Sequence, residues 1–121
     1  ETSIITVNAL DPVYRQRFTI AHEIGHKVYN HKGIRNRITQ DQIDTIIQNE
    51  DSYFDVLIER QANSFASKLL MPEKLLTEVK NKLENNKEIR SDRQRIIKLA
   101  EKFNVSYIAM EYRLRAINNN E

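Results

Sequence analysis

The sequence predicts a single α+β domain that is predominantly helical. The chain has 121 residues, of which 40% are hydrophobic and 30% charged, as in an ordinary globular domain with one core. It contains only two glycines and two prolines, so we expect few tight turns and several helices. The stretch from Ser3 to Val7 is instead rich in β-branched residues, which favours a strand.

The composition excludes several classes of protein. There are no cysteines, so a disulfide framework and a thiolate metal site are both excluded, and a cytoplasmic location is favoured. No apolar run approaches the roughly 20 residues that a membrane span needs, and no signal-peptide core is present. The net charge of +2 is too small to indicate nucleic-acid binding by itself. We therefore expect a cytoplasmic protein with no membrane partner.

The first predicted helix runs from about Pro12 to Asn30. Asp11 is expected to cap this helix, with Pro12 at the first helical position. Lys32-Gly33 is expected to end it. Residues 34–38 are a possible second strand that could pair with the first. Residues 41–48 have the isoleucine spacing of a short helix.

Two further helices are predicted in the middle of the chain. One runs from about Asp55 to Leu70, and Pro72 ends it because the residue before a proline is driven out of helical geometry. Its apolar residues recur three and four positions apart, as in a buried stripe: Ile58, Ala62, Phe65, Ala66 and Leu69. The next helix is predicted from Glu73 to Leu83.

The C-terminal part has the outline of a helix-turn-helix. A helix from Asp92 to Phe103 carries Ile96, Leu99, Ala100 and Phe103 on one face. A short corner follows, in which Ser106 is a suitable N-cap for a last helix from Tyr107 to Ile117. Two helices joined by a corner of this length are typical of a helix-turn-helix.

Residues 21–26 carry the pattern most closely tied to chemistry, Ala-His-Glu-Ile-Gly-His. On a helix, His22 and His26 lie one turn apart on one face and can present two imidazoles to a single metal ion, most plausibly zinc. Glu23 lies about 100° round the helix from His22, near the metal without being a ligand. From there it can take a proton from metal-bound water, so the pattern indicates a metal-dependent hydrolase.

A catalytic zinc site normally has three protein ligands and one open position, so a third ligand is needed. Glu59 is a candidate, although a carboxylate on an exposed helix face has the same spacing. Ala62 and Asn63 follow three and four residues later on the same face. The small Ala62 would allow close helix packing, and Asn63 could hydrogen-bond the far nitrogen of a metal-bound imidazole.

The rival third ligands have weaker arguments. His31 is five residues after His26, which turns its side chain roughly 140° away on a helix, so a capping or surface role suits it better. Glu50, Asp51 and Asp55 lie where a helix is expected to start, and helix-dipole complementarity explains acidic residues there. Residue spacing alone does not decide whether Glu59 or one of these rivals is the third ligand.

Two long segments in a fixed order resemble the ImmA/IrrE family of metallopeptidases. They are Arg15-x-Arg17-Phe18-Thr19-Ile20-Ala21-His22-Glu23-Ile24-Gly25-His26 and Glu59-x-x-Ala62-Asn63-x-Phe65-Ala66-x-x-Leu69-Leu70-Met71-Pro72. The tail from Leu99 to Leu114 is similar to the C-terminal helical segment of that family. The resemblance extends from about Ile4 to Leu114, nearly the whole chain. Such a pair of motifs is far more specific than the five-residue histidine pattern alone.

The resemblance implies a fold and a set of roles. The fold would be zincin-like, with a small antiparallel sheet beside the active-site helix and further helices packed around it. His22, His26 and Glu59 would bind one zinc ion per chain, and Glu23 would be the general base. The whole chain, 1–121, would form one domain, with a catalytic core at 1–83 and a C-terminal helical segment at 89–117.

The resemblance also implies a substrate. Better-known family members are cytoplasmic bacterial or phage-borne proteins that cleave helix-turn-helix repressors of the XRE type and so relieve repression. The expected activity is therefore zinc-dependent endopeptidase cleavage of a protein, in a phage, mobile-element or stress-response circuit. The chain departs from the family in two respects. Lys27 stands where zinc peptidases usually have an uncharged residue, and the chain starts late, so part of the sheet is expected to be missing.

The remaining site position is a donor for the negative charge that develops on the substrate carbonyl oxygen. Tyr29, Tyr53 and Tyr107 are possible donors, and the sequence does not choose between them. Packing against the core is the better explanation for each of them.

The alternative function is a binding module. Residues 80–102 contain eight basic and four acidic side chains, and residues 90–114 could place a helix-turn-helix on DNA. Against this, a charge run of this kind is usually the solvated face of a helix, and only Arg113 and Arg115 in the last helix suit base edges. A partner-binding domain with a structural metal and little protease activity is the third possibility.

Overall fold

The computed structural model describes residues 4–29 and 51–119, with the side chains of 51–54 excepted. In this part of the chain it contains five α-helices, which are, in chain order, α1 (Val13–Val28), α2 (Asp51–Leu70), α3 (Glu73–Glu84), α4 (Asp92–Phe103) and α5 (Tyr107–Asn118). The predominantly helical prediction is therefore confirmed.

The prediction of a small antiparallel sheet is wrong, because none of the described residues is in a strand. Residues 4–7, the described part of the predicted first strand, are irregular, and Ile4 is 87% exposed. β-branched residues favour a strand only where a neighbouring strand supplies hydrogen bonds and burial, and the described chain supplies neither. The predicted strand at 34–38 and helix at 41–48 lie outside the described residues.

Helix α1 begins one residue later than predicted. Its N-cap position is Pro12, whose carbonyl accepts hydrogen bonds from the amides of Arg15 and Gln16 at 3.0 and 3.1 Å, so capping by Asp11 is wrong. The amide of Asp11 instead donates to the carbonyl of Asn8 in the preceding turn. The helix ends at Val28, close to the predicted end.

The main core lies among the C-terminal helices. Helices α3, α4 and α5, with residues just before α3 and α5, bury one cluster of apolar side chains: Met71, Leu76, Leu83, Leu99, Ala100, Phe103, Val105 and Met110. The stripe predicted on α4 is part of this cluster, with Leu99, Ala100 and Phe103 buried. The removal of such side chains from water is the main force that stabilises a folded domain.

The corner between α4 and α5 is built from two local signals. Asn104 adopts the left-handed conformation, φ 52°, at the end of α4, where asparagine is one of the few residues tolerated. The hydroxyl of Ser106 accepts a hydrogen bond from the amide of Ala109 at 3.0 Å, so the predicted N-cap is confirmed. The two helices thus form the expected helix-turn-helix outline.

Two arginines connect distant parts of the chain. The Arg17 guanidinium of α1 donates to the carbonyls of Phe103 and Asn104, at 2.7 and 2.6 Å, and so satisfies the C-terminal end of α4. Arg113 of α5, 5% exposed, donates from Nε to the carbonyl of Met71 at 2.9 Å, just beyond α2. The C-terminal helices are therefore hydrogen-bonded to the segments that bear the histidine pattern and Glu59.

Within residues 4–29 and 51–119, no helix combines the length and the apolar character that crossing a membrane requires.

Candidate metal centre

The histidine pattern lies in the second half of α1. The Nε2 atoms of His22 and His26 are 3.0 Å apart. Their rings meet edge to face, with centroids 4.5 Å apart and planes at 84°. Both side chains are largely shielded from solvent, 16% and 20% exposed. The one-turn spacing therefore places two imidazole nitrogens at one point, as the sequence predicts.

Glu59 of α2 meets both imidazoles. Its Oε2 lies 2.9 Å from Nε2 of His22, and its Oε1 lies 3.1 Å from Nε2 of His26. Its side chain is 51% exposed, so one side of the cluster faces solvent. The structure thus brings together the three residues that the resemblance implies as ligands. Spacing along α2 alone does not distinguish this position from a surface carboxylate.

These donor atoms suit a divalent metal ion. With ligand distances of about 2.0–2.1 Å, two ligand atoms of a tetrahedral zinc ion are about 3.3 Å apart. The contacts among His22, His26 and Glu59 are 2.9–3.1 Å, so an outward shift of a few tenths of an ångström would accommodate the ion. Two imidazoles and a carboxylate also leave a fourth position open. Zinc, manganese and iron all accept this set.

Asn63 determines which nitrogen of the His22 imidazole carries the proton and which is available to a metal ion. Its side-chain oxygen is 2.7 Å from Nδ1 of His22. An amide oxygen only accepts hydrogen bonds, so the proton of a neutral His22 is assigned to Nδ1. The lone pair of Nε2 then points at the carboxylate of Glu59 and at Nε2 of His26. A carboxylate and two ring nitrogens that converge in this way require a proton or a metal ion between them.

Glu23 supplies a second carboxylate at a different position. It is exposed, and one of its oxygens lies within 4.8 Å of one ring nitrogen of His22 and one ring nitrogen of His26. Glu59, in contrast, is in direct contact with both imidazoles. The two carboxylates are thus placed differently, one bridging the histidines and one beside them. A group beside the cluster is suited to accept a proton there.

The close approach of α1 and α2 depends on two small residues. A Cβ atom on Gly25 would lie 3.1 Å from the carbonyl oxygen of Ala62 and 3.1 Å from Cδ1 of Phe65. Ala62 has no exposed surface. The next aromatic contact along this interface is edge to face, between Phe65 and Tyr29, with centroids 6.3 Å apart. The role of Gly25 was not predicted, although a glycine inside a helix is itself a signal of close packing.

Of the other sequence candidates, some lie outside the described part of the chain and two tyrosines lie within it. His31 and Glu50 lie outside the described residues, as do the side chains of Asp51 and Tyr53. Among the tyrosines proposed as donors, Tyr29 packs on Phe65, and Tyr107 is half-buried at the start of α5. No donor for the substrate oxygen follows from these positions in the described chain.

Comparison with known proteins adds one finding. The family model of the IrrE N-terminal-like domain, Peptidase_M78, matches residues 1–115. No curated protein and no solved structure matches the chain. The matched range includes the histidines, Glu59 and both C-terminal helices, apart from the end of α5.

Proposed function

The chain belongs to the Peptidase_M78 family of IrrE N-terminal-like domains, and from this premise we propose that it is a zinc-dependent endopeptidase. The observation that carries the proposal is the carboxylate of Glu59, which touches the ligand nitrogens of His22 and His26 at 2.9 and 3.1 Å. Two imidazoles and a carboxylate that meet at one point, in a chain of a peptidase family, are the arrangement expected for metal-assisted hydrolysis.

His22, His26 and Glu59 are the proposed ligands of one zinc ion per chain. A bound zinc ion lowers the pKa of its water to about 7 and polarises the carbonyl of the bond to be cleaved. Helices α1 and α2 hold the three donor side chains in place, and the fourth coordination position is left for water. Asn63 keeps the proton of His22 on Nδ1, so that Nε2 stays available as a ligand.

Glu23 is the proposed general base. Its carboxylate accepts the proton of the attacking water and then passes it to the nitrogen of the leaving amine. Its position supports this role because it lies within 4.8 Å of one ring nitrogen of each histidine while Glu59 makes the direct contacts. Replacing Glu23 by Gln should therefore remove activity but leave the metal bound.

The proposed substrate is a helix-turn-helix repressor of the XRE type, whose cleavage would relieve repression in a phage, mobile-element or stress-response circuit. Support comes from the family and from the resemblance of both long motifs to ImmA/IrrE metallopeptidases. A protein substrate is what the family implies in general.

Direct DNA binding through residues 90–114 is not favoured. Arg113 is 5% exposed and its Nε donates to the Met71 carbonyl, so it is not available to base edges. Arg115 is exposed but has Glu111 as a neighbour at 3.6 Å. These are the two side chains of the last helix suited to reading bases, and the buried one stabilises the fold instead.

The test combines metal analysis with cleavage. Elemental mass spectrometry should find about one zinc per chain in the wild type and in Glu23→Gln, and much less in Glu59→Ala. Purified repressors encoded beside the gene are then incubated with each protein, and we expect the wild type alone to cleave one of them. A folded wild type that neither retains nor binds zinc would overturn the proposal. Full zinc content without cleavage of any protein would support the partner-binding alternative.

A further inference from the structure

A cavity of about 860 Å³ lies next to the candidate metal centre, between α1, α2 and α5. Its volume is within the range of small-molecule binding sites. Helix α1 contributes Tyr14 and Phe18, helix α2 contributes Asn63 and Ser67, and helix α5 contributes Ile108 and Tyr112. The cavity therefore joins the metal-bearing helices to the C-terminal segment.

The cavity borders the candidate metal centre on the Nδ1 side of His22, through residues that contact its ring. Asn63 lines the cavity and also lies 2.7 Å from Nδ1 of His22. Phe18, another lining residue, stacks beside the His22 ring at a centroid distance of 6.4 Å and an interplanar angle of 27°. A group bound in the cavity would thus lie against the residues that surround one proposed ligand.

Large apolar side chains are exposed around this cavity. Ile108 is 76% exposed and Tyr112 is 52% exposed, and both line the cavity from α5. Apolar surface left in contact with water at a concave site is typical of a binding site. An apolar side chain from another molecule would remove this surface from water.

Two arginines give the cavity a positive charge. Arg15 and Arg60 both line it, and the lining contains no acidic residue among those that the structure describes. Arg15 has only a long contact of 3.9 Å with Asp11, and its side chain is 60% exposed, so this pair is weak. Arg60 has no ion-pair partner within the described chain. Charge complementarity therefore indicates a ligand that carries a carboxylate near its apolar group.

The Ser67 hydroxyl is a further indication. Ser67 is 5% exposed, and its Oγ has no hydrogen-bond partner within residues 4–29 and 51–119. A buried hydroxyl without a partner is unfavourable and unusual. A peptide group brought into the cavity would give this hydroxyl a partner.

We propose that this cavity binds the substrate polypeptide beside the bond to be cleaved. It takes one large apolar side chain, and an adjacent acidic residue faces Arg15 and Arg60. The proposal rests on the peptidase function proposed above, because the position of the cavity beside His22 is what identifies the occupant as substrate. Substrate selection is thereby assigned to residues that do not touch the metal.

The binding test uses the zinc-loaded Glu23→Gln protein, which should hold peptides without cleaving them. The probes are fluorescein-labelled dodecapeptides of alternating Gly and Ser with a central Glu-Leu, Glu-Ser or Lys-Leu pair. Fluorescence anisotropy should show the tightest binding for Glu-Leu. Loss of the buried Leu side chain should weaken binding about tenfold or more, and exchange of Glu for Lys about threefold or more.

Two variants in the Glu23→Gln background locate the peptide. Ala109→Phe inserts a large side chain into the cavity from α5, and Arg15→Glu reverses one charge. The first should weaken Glu-Leu binding at least about tenfold, and the second should remove or invert the preference for Glu over Lys. Ala9→Phe and Arg93→Glu are matched controls at exposed positions outside the cavity lining, and neither should change binding.

The outcomes separate this proposal from the proposed function. Zinc content and the far-ultraviolet circular dichroism of each variant show whether the metal centre and the fold are intact. If folded Ala109→Phe binds Glu-Leu as well as its parent does, the cavity proposal is overturned, even where the wild type cleaves a repressor. If the peptide order and the variant effects are as expected but the wild type cleaves no protein, the cavity is a peptide-binding site, and the peptidase proposal fails together with the assignment of that peptide as substrate.

Discussion

Gly25 and Ala62 bring the backbones of α1 and α2 into contact directly beside the candidate metal centre. Only a residue without a Cβ leaves the Ala62 carbonyl undisturbed, because an added Cβ would approach that oxygen to 3.1 Å. The same approach brings Glu59 to both imidazoles. The geometry of the donor atoms is therefore tied to the packing of two small residues.

Gly25→Ala should weaken zinc binding about tenfold. Overpacking at a tight interface costs about 1–3 kcal/mol, which exceeds the gain of up to about 1 kcal/mol from replacing a helical glycine by alanine. Displacement of α2 would also move Glu59 away from the histidines. Competition with a chromophoric chelator measures the affinity. Val28→Ala, at a 60% exposed position of α1, is the control, and equal affinity in Gly25→Ala would contradict the argument.

Asn63→Ala should reduce zinc affinity about 10- to 100-fold, the usual effect of losing the partner that orients a metal-bound histidine. The affected contact is the 2.7 Å hydrogen bond from Nδ1–H of His22 to the Asn63 oxygen. Asn63→Asp keeps an acceptor at this position and should retain most of the affinity. Isothermal titration with zinc compares the three proteins. Equal losses in both variants would mean that the hydrogen bond does not orient His22.

Zinc should stabilise the folded chain, because its proposed ligands lie on two helices and the unfolded chain does not hold them together. At a free zinc concentration about 100 times the dissociation constant, the free energy of unfolding should rise by about 2.7 kcal/mol. Thermal unfolding with zinc and with a chelator measures the difference. His26→Ala should abolish the shift and Glu23→Gln should keep it. A shift of the same size in His26→Ala would place the stabilising zinc elsewhere.

Arg17→Ala should lower the free energy of unfolding by about 1–3 kcal/mol, because two carbonyls at the end of α4 lose a charged donor. The lost hydrogen bonds are those to Phe103 and Asn104, at 2.7 and 2.6 Å. Arg17→Lys keeps the charge and should be intermediate, since an ammonium lacks the forked geometry. Urea unfolding gives the values. Arg93→Ala, an exposed arginine of α4, is the control, and an equally small effect in Arg17→Ala would refute a capping role.

The features that could be predicted from the sequence are those with local causes. Pro72 determines the end of α2, and Ser106 caps α5, because each acts through its own backbone neighbours. The imidazoles of His22 and His26 meet because one helical turn separates them.

The features that could not be predicted depend on distant partners. A strand at Ser3–Val7 needs a second strand, which the described residues do not supply. The contact of Glu59 with the histidines depends on how two helices pack, and spacing within α2 contains no information about that. The resemblance to a family supplied the proposed role of Glu59, whereas the sheet that it also implied is not found among the described residues.

The helices that line the cavity differ in whether they carry residues of the proposed metal centre. Helix α5 lines it through Ile108, Ala109 and Tyr112, and none of the proposed ligands or the proposed base lies on that helix. Substitutions at these positions are therefore expected to leave zinc binding unchanged. This wall of the cavity can thus be adapted to a new target sequence while the proposed ligands and the proposed base on α1 and α2 are kept.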